Sequence, residues 1–218
     1  MTVVVTAASG HLGRLVVHDL LERGVPANGL VAGARSVGAI TDLAETGVRT
    51  TVIDYDDPAS VEAALEPGDT FVLVSGNDLA NRDRQHADAI GMAAKAGAGH
   101  LIYTSGLKAS ESPSPIAASH AATEDVVRDS GIPYTLLRNG WYTENYARSI
   151  DAVRAAGVLL ASVGDAGSPP PPAATSPRPS AQSSPPRVTS VRPTSSPVRS
   201  PGPTATSPPP SPSSSAAT

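Results

Sequence analysis

The stretch VVVTAASGHLG, residues 3–13, determines how the whole chain is interpreted. A β-branched run leads directly into small residues, and leucine or valine then recurs at helical spacing at positions 12, 15, 16, 20 and 21. Small residues let the backbone approach a pyrophosphate, and a helix N-terminus supplies free N–H groups and a positive dipole end. The order strand, turn, helix therefore predicts a dinucleotide site. The alternative is a tight turn that binds no ligand.

The glycine spacing of this turn departs from the usual pattern at one place. Gly10 and Gly13 fit the second and third positions of a GxxGxxG loop, and Ala7 stands at the first. If that position needs a positive φ, alanine costs on the order of 1 kcal/mol. The residues predicted to contact the cofactor here are Thr6, Ala7, Ala8, Ser9, Gly10, His11, Leu12 and Gly13.

Outward from the turn, short β-branched runs alternate with helical stretches. This is the pattern of a parallel sheet covered on both faces. It predicts an α/β fold with a doubly wound parallel sheet (Rossmann), whose ligand crevice lies at the carboxyl ends of the strands. A helix is predicted over 82–96, ended by Gly97, and another is predicted to start near Pro58. The six predicted strands are 3–6, 30–33, 49–53, 70–74, 100–104 and 133–137.

The predicted strand ends indicate which cofactor fits. An NAD site normally carries an acid after the second strand to hold the ribose 2′-OH, but here Arg35 and Ser36 occupy that place. An arginine suits a 2′-phosphate, so NADPH is favoured and NADH less so, with a solvated surface charge as the alternative for Arg35. Asp54 is predicted at the adenine. Ser75 and Gly76 are predicted along the cofactor, although ordinary turns would explain such residues as well.

Residues for chemistry are harder to assign. Thr104 and Ser105 end the fifth strand, where a short-chain dehydrogenase keeps its serine, but the usual tyrosine with a lysine four residues later is missing. Tyr142 is followed at that distance by Tyr146. His120 is a candidate proton donor on the helix before the sixth strand; a surface or cap residue is the alternative.

Composition divides the chain at residue 167. The segment 168–218 holds 16 of the 22 prolines and has no acidic or aromatic residue, so it is expected to be a disordered Pro/Ser-rich tail. The domain 1–167 carries an excess of acids, which argues against nucleic acid as a partner. The chain has no cysteine and therefore no disulfide or thiolate metal site. The N-terminus has neither a signal core nor a membrane span, which predicts a cytoplasmic protein.

The segment SGIPYTLLRNGWYTENY, residues 130–146, makes a family resemblance specific. Together with TAASGHLG, VAGARS, DYDDPAS and YTSGLKAS, it resembles the NAD(P)H:quinone oxidoreductase type 2 group of the NmrA-like, atypical short-chain dehydrogenase family. The resemblance implies a Rossmann domain and NADPH-dependent reduction of a small-molecule quinone. It also implies that 139–144 line the nicotinamide end, with Asn139, Gly140, Trp141 and Tyr142 at the cofactor. Trp141, Tyr142 and Asn145 would border the quinone, and a core anchor is the other interpretation of Trp141.

The resemblance stops near residue 167, where the family continues into a substrate lobe. We therefore expect that lobe to be missing and replaced by the tail. Read one base out of register, the tail permits family-like segments from 167 into 185 and from 187 into 196, so a single-base shift is the hypothesis. A genuine Pro/Ser interaction tail is the competing one. A chain impaired by this loss, a non-catalytic NADP-sensing regulator and a non-functional product are all compatible with the sequence, and homo-oligomer formation stays open.

Overall fold

The structure, a computed structural model, describes residues 1–146, 150 and 154. All six predicted strands are present in it and form one parallel sheet in the order β3-β2-β1-β4-β5-β6. The doubly wound fold predicted from the sequence is confirmed. The strands are β1 (Val3–Val5), β2 (Leu30–Ala34), β3 (Arg49–Val52), β4 (Thr70–Leu73), β5 (His100–Gly106) and β6 (Tyr134–Asn139).

Five helices connect the strands, and short 3-10 turns cover 27–29, 37–40 and 143–146. Pro58 begins its helix as predicted, and Gly97 follows the long fourth helix with φ of 78°, a left-handed conformation that suits glycine. The helices are α1 (His11–Glu22), α2 (Thr41–Glu45), α3 (Pro58–Ala63), α4 (Arg82–Lys95) and α5 (Pro115–Asp129).

Alternation along the strands gives the sheet two apolar faces. One face packs on α3, α4 and α5, with Phe71, Leu101 and Tyr103 fully buried at its centre. The opposite face packs on α1 and α2, where Leu30 and Leu43 are fully buried. Burial on both faces explains why the strands appear in the sequence as nearly continuous apolar runs.

Strand β1 lies between β2 and β4. From β1 the chain builds β2 and β3 on one side, and it then crosses over to build β4, β5 and β6 on the other side. This reversal opens a crevice at the carboxyl ends of β1 and β4, which is where ligands bind in open parallel sheets. The domain boundary at 167, the missing lobe and the tail 168–218 lie outside the described residues. No helix in the described part of the chain is long and apolar enough to cross a membrane.

Candidate functional site

The turn after β1 is buried in its first part and exposed in its second. Ala7 has φ of 50°, so this first motif position does adopt the left-handed conformation that glycine would favour. The Ala8 N–H donates to the Gly33 carbonyl (2.8 Å), which ties the turn to β2. Thr6 and Ala8 are fully buried, whereas Ser9 and Gly10 are exposed. The exposed half of the turn is therefore the part that can contact a ligand.

Helix α1 begins at His11 with an open N-terminus. Gly10 is its N-cap, and no side chain among the described residues caps it. A Cβ on Gly13 would lie only 2.4 Å from the Ala7 carbonyl oxygen, so only glycine permits this close approach of the helix to the turn. The first-turn N–H groups and the helix dipole therefore favour an anion at this position. Leu12 is half-buried and packs on the core beneath.

Arg35 follows β2 and is exposed. It has no hydrogen bond and no ion pair within 4.0 Å among the described residues, and its charge helps to lower the pKa of Asp56. The 3-10 turn that follows it is braced by Arg14, which donates to the Ala39 carbonyl (2.8 Å) and pairs with Asp42. An exposed guanidinium that donates no hydrogen bond to a described residue can donate to a phosphate.

The end of β3 folds inward. The Tyr55 hydroxyl donates to the Val74 carbonyl (2.6 Å) and lies 2.5 Å from Thr6 Oγ1. Burial raises the pKa of Tyr55, so the phenol is neutral. The Asp54 carboxylate accepts the N–H of Asp56 in its own turn (3.1 Å). Thr6 and Tyr55 therefore link the ends of β1, β3 and β4 through buried hydrogen bonds beneath the crevice.

Ser75 and Gly76 follow β4 and are half-buried at the crevice. The Ser75 N–H donates to Thr104 Oγ1 (2.9 Å), and the Gly76 N–H donates to His86 Nε2 (3.1 Å). His86 is fully buried on α4. Burial and the charge of Arg82 lower the pKa of His86 to about 3, so the ring is neutral and can accept this hydrogen bond.

Ser105, at the end of β5, is buried and forms a hydrogen bond inside the protein. Its hydroxyl donates to Glu124 (2.6 Å), whose carboxylate also accepts two hydrogen bonds from Arg138 (2.6 and 2.8 Å) and one from Arg128 (2.6 Å). Burial alone would raise the pKa of Glu124, but the hydrogen bonds from Arg138 and Ser105 outweigh it and lower the pKa. This ion-pair cluster links α5 to β5 and β6, and the proton of the Ser105 hydroxyl is donated to Glu124.

The end of β6 presents aromatic side chains to solvent. Trp141 is 66% exposed, so its interpretation as a core anchor is wrong, and Tyr142 is 40% exposed. The Asn139 amide donates to the Tyr142 hydroxyl (2.8 Å). Gly140 and Asn145 are exposed as well. Residues 139–142 and 145 thus form an open surface beside the crevice.

This surface reaches back to the turn after β1. Glu144 Oε1 lies 4.0 Å from Nε2 of His11, the first residue of α1. Both side chains are mostly exposed, so the pair itself contributes little. Its position nevertheless shows that the segment after β6 and the open helix end border the same crevice.

His120 is buried on α5, so its interpretation as a surface or cap residue is wrong. Its Nδ1 lies 2.7 Å from the hydroxyl of Tyr103 on β5. Burial and the charge of Arg82 lower the pKa of His120 to about 4, against an opposing effect of Glu124. The imidazole is therefore neutral near pH 7.

The sequence interpretation missed His86, Tyr103 and Glu124. A signal existed for His86, because it lies three and four residues before Ala89 and Ile90 and so shares the buried face of α4. The partner of Tyr103 comes from another element, so no local signal marks it. Glu124 has one partner on its own helix, Arg128 four residues later, but Ser105 and Arg138 come from β5 and β6.

Among the described residues, no group of three or more His, Cys, Asp or Glu side chains could hold a metal ion. An open depression lies on the outer side of α1, away from the strand ends. It is lined by Leu15, Val16, His18, Asp19, Leu20 and Glu22 and has none of the glycine-turn features.

The fold and this crevice define a dinucleotide-binding Rossmann protein. Residues 7–163 match a family described as NAD(P)H-binding, and the chain belongs to that family. It is 39% identical over 163 residues to quinone oxidoreductase 2 of Escherichia coli, covering 75% of this chain and 57% of that protein. The resemblance to the quinone oxidoreductase type 2 group is thereby confirmed.

Two solved structures share the fold. The NADPH complex of the NADPH-dependent quinone oxidoreductase from Escherichia coli superposes with a TM-score of 0.67 at 39% identity, covering 72% of this chain and 55% of that one. The NADP(H) complex of triphenylmethane reductase from Citrobacter sp. gives 0.64 at 37% identity, covering 69% and 55%. The chain spans about half the length of the curated relatives that it matches.

Proposed function

We propose that this protein is an NADPH-dependent oxidoreductase that reduces a quinone by hydride transfer. The observation that carries the proposal is the combination of an uncapped helix N-terminus at Gly10 and His11 with the unpaired Arg35 at the end of the neighbouring strand. A dinucleotide with a 2′-phosphate has anionic groups for both places. Both solved relatives described above were crystallised with NADPH or NADP(H).

The cofactor would lie across the carboxyl ends of β2, β1 and β4. The exposed turn from Ser9 to His11 would hold the pyrophosphate, because backbone N–H groups there have no capping side chain. Arg35 and Ser36 would hold the 2′-phosphate, and Asp54 would lie by the adenosine. The half-buried Ser75 and Gly76 permit close approach of the remainder, with Asn139 at the nicotinamide end.

The exposed aromatic residues after β6 fit a flat acceptor. Trp141 and Tyr142 are exposed, and an aromatic ring can form an offset stack with a planar quinone. When bound, NADPH supplies a hydride, and a quinone that receives this hydride and one proton becomes a hydroquinone while NADP⁺ is formed. Water can supply the proton, so the missing tyrosine and lysine pair is compatible with this reaction. Similarity to quinone oxidoreductase 2 supports the choice of a quinone.

Binding is tested by titrating the full 218-residue chain with NADPH and, separately, with NADH, using nicotinamide fluorescence. We expect saturable binding that prefers NADPH. The variant Arg35→Ala should weaken NADPH binding by about tenfold or more, since a charge-assisted phosphate contact contributes roughly 1.5–3 kcal/mol, and should leave NADH binding unchanged. Arg49→Ala is the matched control, because Arg49 is an exposed arginine at the opposite, amino end of β3. Equal affinities for the two cofactors in the wild-type chain would contradict the 2′-phosphate assignment.

Turnover is tested by NADPH oxidation with a small benzoquinone. We expect measurable but slow oxidation, because this chain spans only about half the length of its curated relatives. NADPH binding without any quinone-dependent oxidation would instead favour the non-catalytic NADP-sensing alternative.

A further inference from the structure

A buried tyrosine and histidine pair lies below the carboxyl end of β5. Tyr103 is fully buried, and its hydroxyl lies 2.7 Å from Nδ1 of His120. The two rings are 5.9 Å apart between centroids. The position of the single proton on the His120 ring decides what its other nitrogen, Nε2, can do.

A neighbouring chain of hydrogen bonds restricts the possibilities. Because the Gly76 N–H donates to His86 Nε2, the proton of the neutral His86 ring is on Nδ1. This Nδ1 lies 3.0 Å from Thr123 Oγ1, which can therefore accept. The Thr123 hydroxyl in turn donates to the Ser119 carbonyl (3.0 Å). Thr123 has then used its only proton.

The buried Tyr103 hydroxyl needs an acceptor for its proton. The Tyr103 hydroxyl has two hydrogen-bonding neighbours, His120 Nδ1 at 2.7 Å and Thr123. Thr123 already accepts from His86 and donates to the Ser119 carbonyl, so His120 Nδ1 is the less occupied acceptor for the Tyr103 proton. A Tyr103 O–H that donates to Nδ1 puts the proton of the His120 ring on Nε2.

The Nε2–H group has no partner among the described residues. No buried side-chain nitrogen or oxygen in the described part of the chain lacks a partner, so this unpaired nitrogen reaches the surface. It lies beside Gly106, where a Cβ would be 3.5 Å from Nε2 and 2.9 Å from Cδ2. Gly106 pairs in register with Asn139, whose amide holds the Tyr142 hydroxyl. The donor therefore lies next to the open aromatic surface after β6.

We propose that His120 is a catalytic residue whose Nε2–H donates a hydrogen bond to the quinone oxygen that gains negative charge during hydride transfer, and that Tyr103 is the positioning residue that fixes this tautomer. This inference rests on the proposed quinone reduction. The hydride adds to the quinone, the resulting oxyanion is stabilised by the neutral N–H donor, and water supplies the proton that completes the hydroquinone. Gly106 keeps the approach to Nε2 free of a side chain.

The tautomer is measured first, without any turnover. In the full chain labelled with ¹⁵N-histidine, two-bond ¹H–¹⁵N correlation spectra distinguish the two neutral tautomers, and His86→Gln and His120→Gln assign the signals. We expect the proton on Nε2 in His120 and on Nδ1 in His86. In Tyr103→Phe, His120 should lose this fixed tautomer and give averaged shifts. A proton on Nδ1 of His120 in the wild-type chain would overturn the proposal.

Kinetics then separates this proposal from the proposed function. His120→Ala should lower kcat for the quinone by about 100-fold with an unchanged Kd for NADPH, as expected when one oxyanion donor is removed, and His120→Gln, which restores an N–H donor, should recover part of it. His100→Ala is the matched control, because His100 also bonds a hydroxyl (Thr135, 2.9 Å) but at the opposite end of β5. Wild-type turnover that His120→Ala leaves unchanged would refute the donor role alone. Absence of wild-type turnover would refute the quinone reduction, and with it the substrate contact, while the tautomer result would still stand.

Discussion

The carbonyl oxygen of Ala7 lies where a side chain on residue 13 would have to be. A Cβ on Gly13 would come within 2.4 Å of that oxygen and 2.9 Å of the Thr6 carbonyl oxygen. Helix α1 therefore packs its first turn directly on the backbone of the turn after β1. This contact, more than any side chain, places the open helix end beside the crevice.

Gly13→Ala should destabilise the protein and weaken NADPH binding together. The atoms in the way are backbone atoms that cannot rotate aside, so helix and turn must move apart, at a cost of about 1–3 kcal/mol in the free energy of unfolding. Urea unfolding measures the first effect and cofactor fluorescence the second. Gly29→Ala is the control, because a Cβ there meets nothing within 4 Å. Equal stability of Gly13→Ala and wild type would show that α1 is not held in this contact.

Ala7→Gly should stabilise the chain. Ala7 has φ of 50°, and a left-handed alanine costs about 1–2 kcal/mol, which exceeds the extra chain entropy that glycine loses on folding. We expect a free energy of unfolding higher by up to about 1 kcal/mol and NADPH binding at least as tight. Ala8→Gly is the matched control, since Ala8 is fully buried and has no positive φ; it should lose about 1 kcal/mol or more. Destabilisation by Ala7→Gly would mean that its methyl group contributes more packing energy than the strained backbone costs.

The sequence predicts the strands well because each is a buried apolar run, but it places their ends less well. Strand β5 was predicted to end at Thr104 and continues to Gly106, and β6 continues to Asn139. The extension exists because these two residues pair with each other and the Leu107 N–H donates to the Asn139 carbonyl (2.8 Å). A strand end of this kind depends on its neighbour in the sheet, which local sequence does not contain.

The site residues divide in the same way. The exposed turn from Ser9 to His11 follows from local sequence, because the strand, small residues and helix are contiguous. By contrast, the Thr6 hydroxyl forms a hydrogen bond with Tyr55, 49 residues away. The Ser105 hydroxyl forms one with Glu124, 19 residues away. Only the folded arrangement shows that such polar side chains are internal.

Glu124→Gln should strongly destabilise the protein at neutral pH. The carboxylate is 1% exposed and holds Arg138, Arg128 and Ser105. Arg128 and Arg138 are 41% and 47% exposed, so their charges stay solvated, and losing the charge-assisted hydrogen bonds should cost about 1.5–3 kcal/mol. Asp125→Asn is the matched control: Asp125 pairs with the same Arg128 at 2.6 Å but is 73% exposed, so we expect a change below about 1 kcal/mol.

The effect of Glu124→Gln should depend on pH in a definite direction. The folded-state pKa of Glu124 lies below its ordinary value of 4.5, so its carboxylate contributes stability that is present above pH 4.5 and is lost as the pH falls through the folded pKa. Urea unfolding at pH 7, 5 and 3 should show the gap between wild type and Glu124→Gln shrinking at the lowest pH. A gap that is constant from pH 7 to 3 would exclude the charge of Glu124 as the source of its contribution.

His86 should make the free energy of unfolding decrease with falling pH. This decrease should begin at a higher pH than the range in which carboxylates titrate. Its folded pKa is about 3, below the ordinary value of 6.5, so the unfolded chain binds a proton that the folded chain does not. Stability is then fully present above pH 6.5 and falls by up to about 1.4 kcal/mol per pH unit as the pH drops toward 3. Unfolding measured between pH 6.5 and 5 isolates the histidines from most carboxylates. His120 adds to the same slope, because its pKa is also lowered, to about 4.

His86→Gln should therefore reduce that slope by about one proton's contribution, since glutamine offers an acceptor for the Gly76 N–H without titrating. His11→Gln serves as the control for exchanging a histidine for glutamine, because the His11 side chain is 70% exposed at the start of α1. The Gly76 amide also gives a local test: its hydrogen exchange should quicken in His86→Ala, which removes the acceptor, and less in His86→Gln. If His86→Gln kept the full slope between pH 6.5 and 5, the neutral His86 beneath Gly76 would not be what acid disrupts.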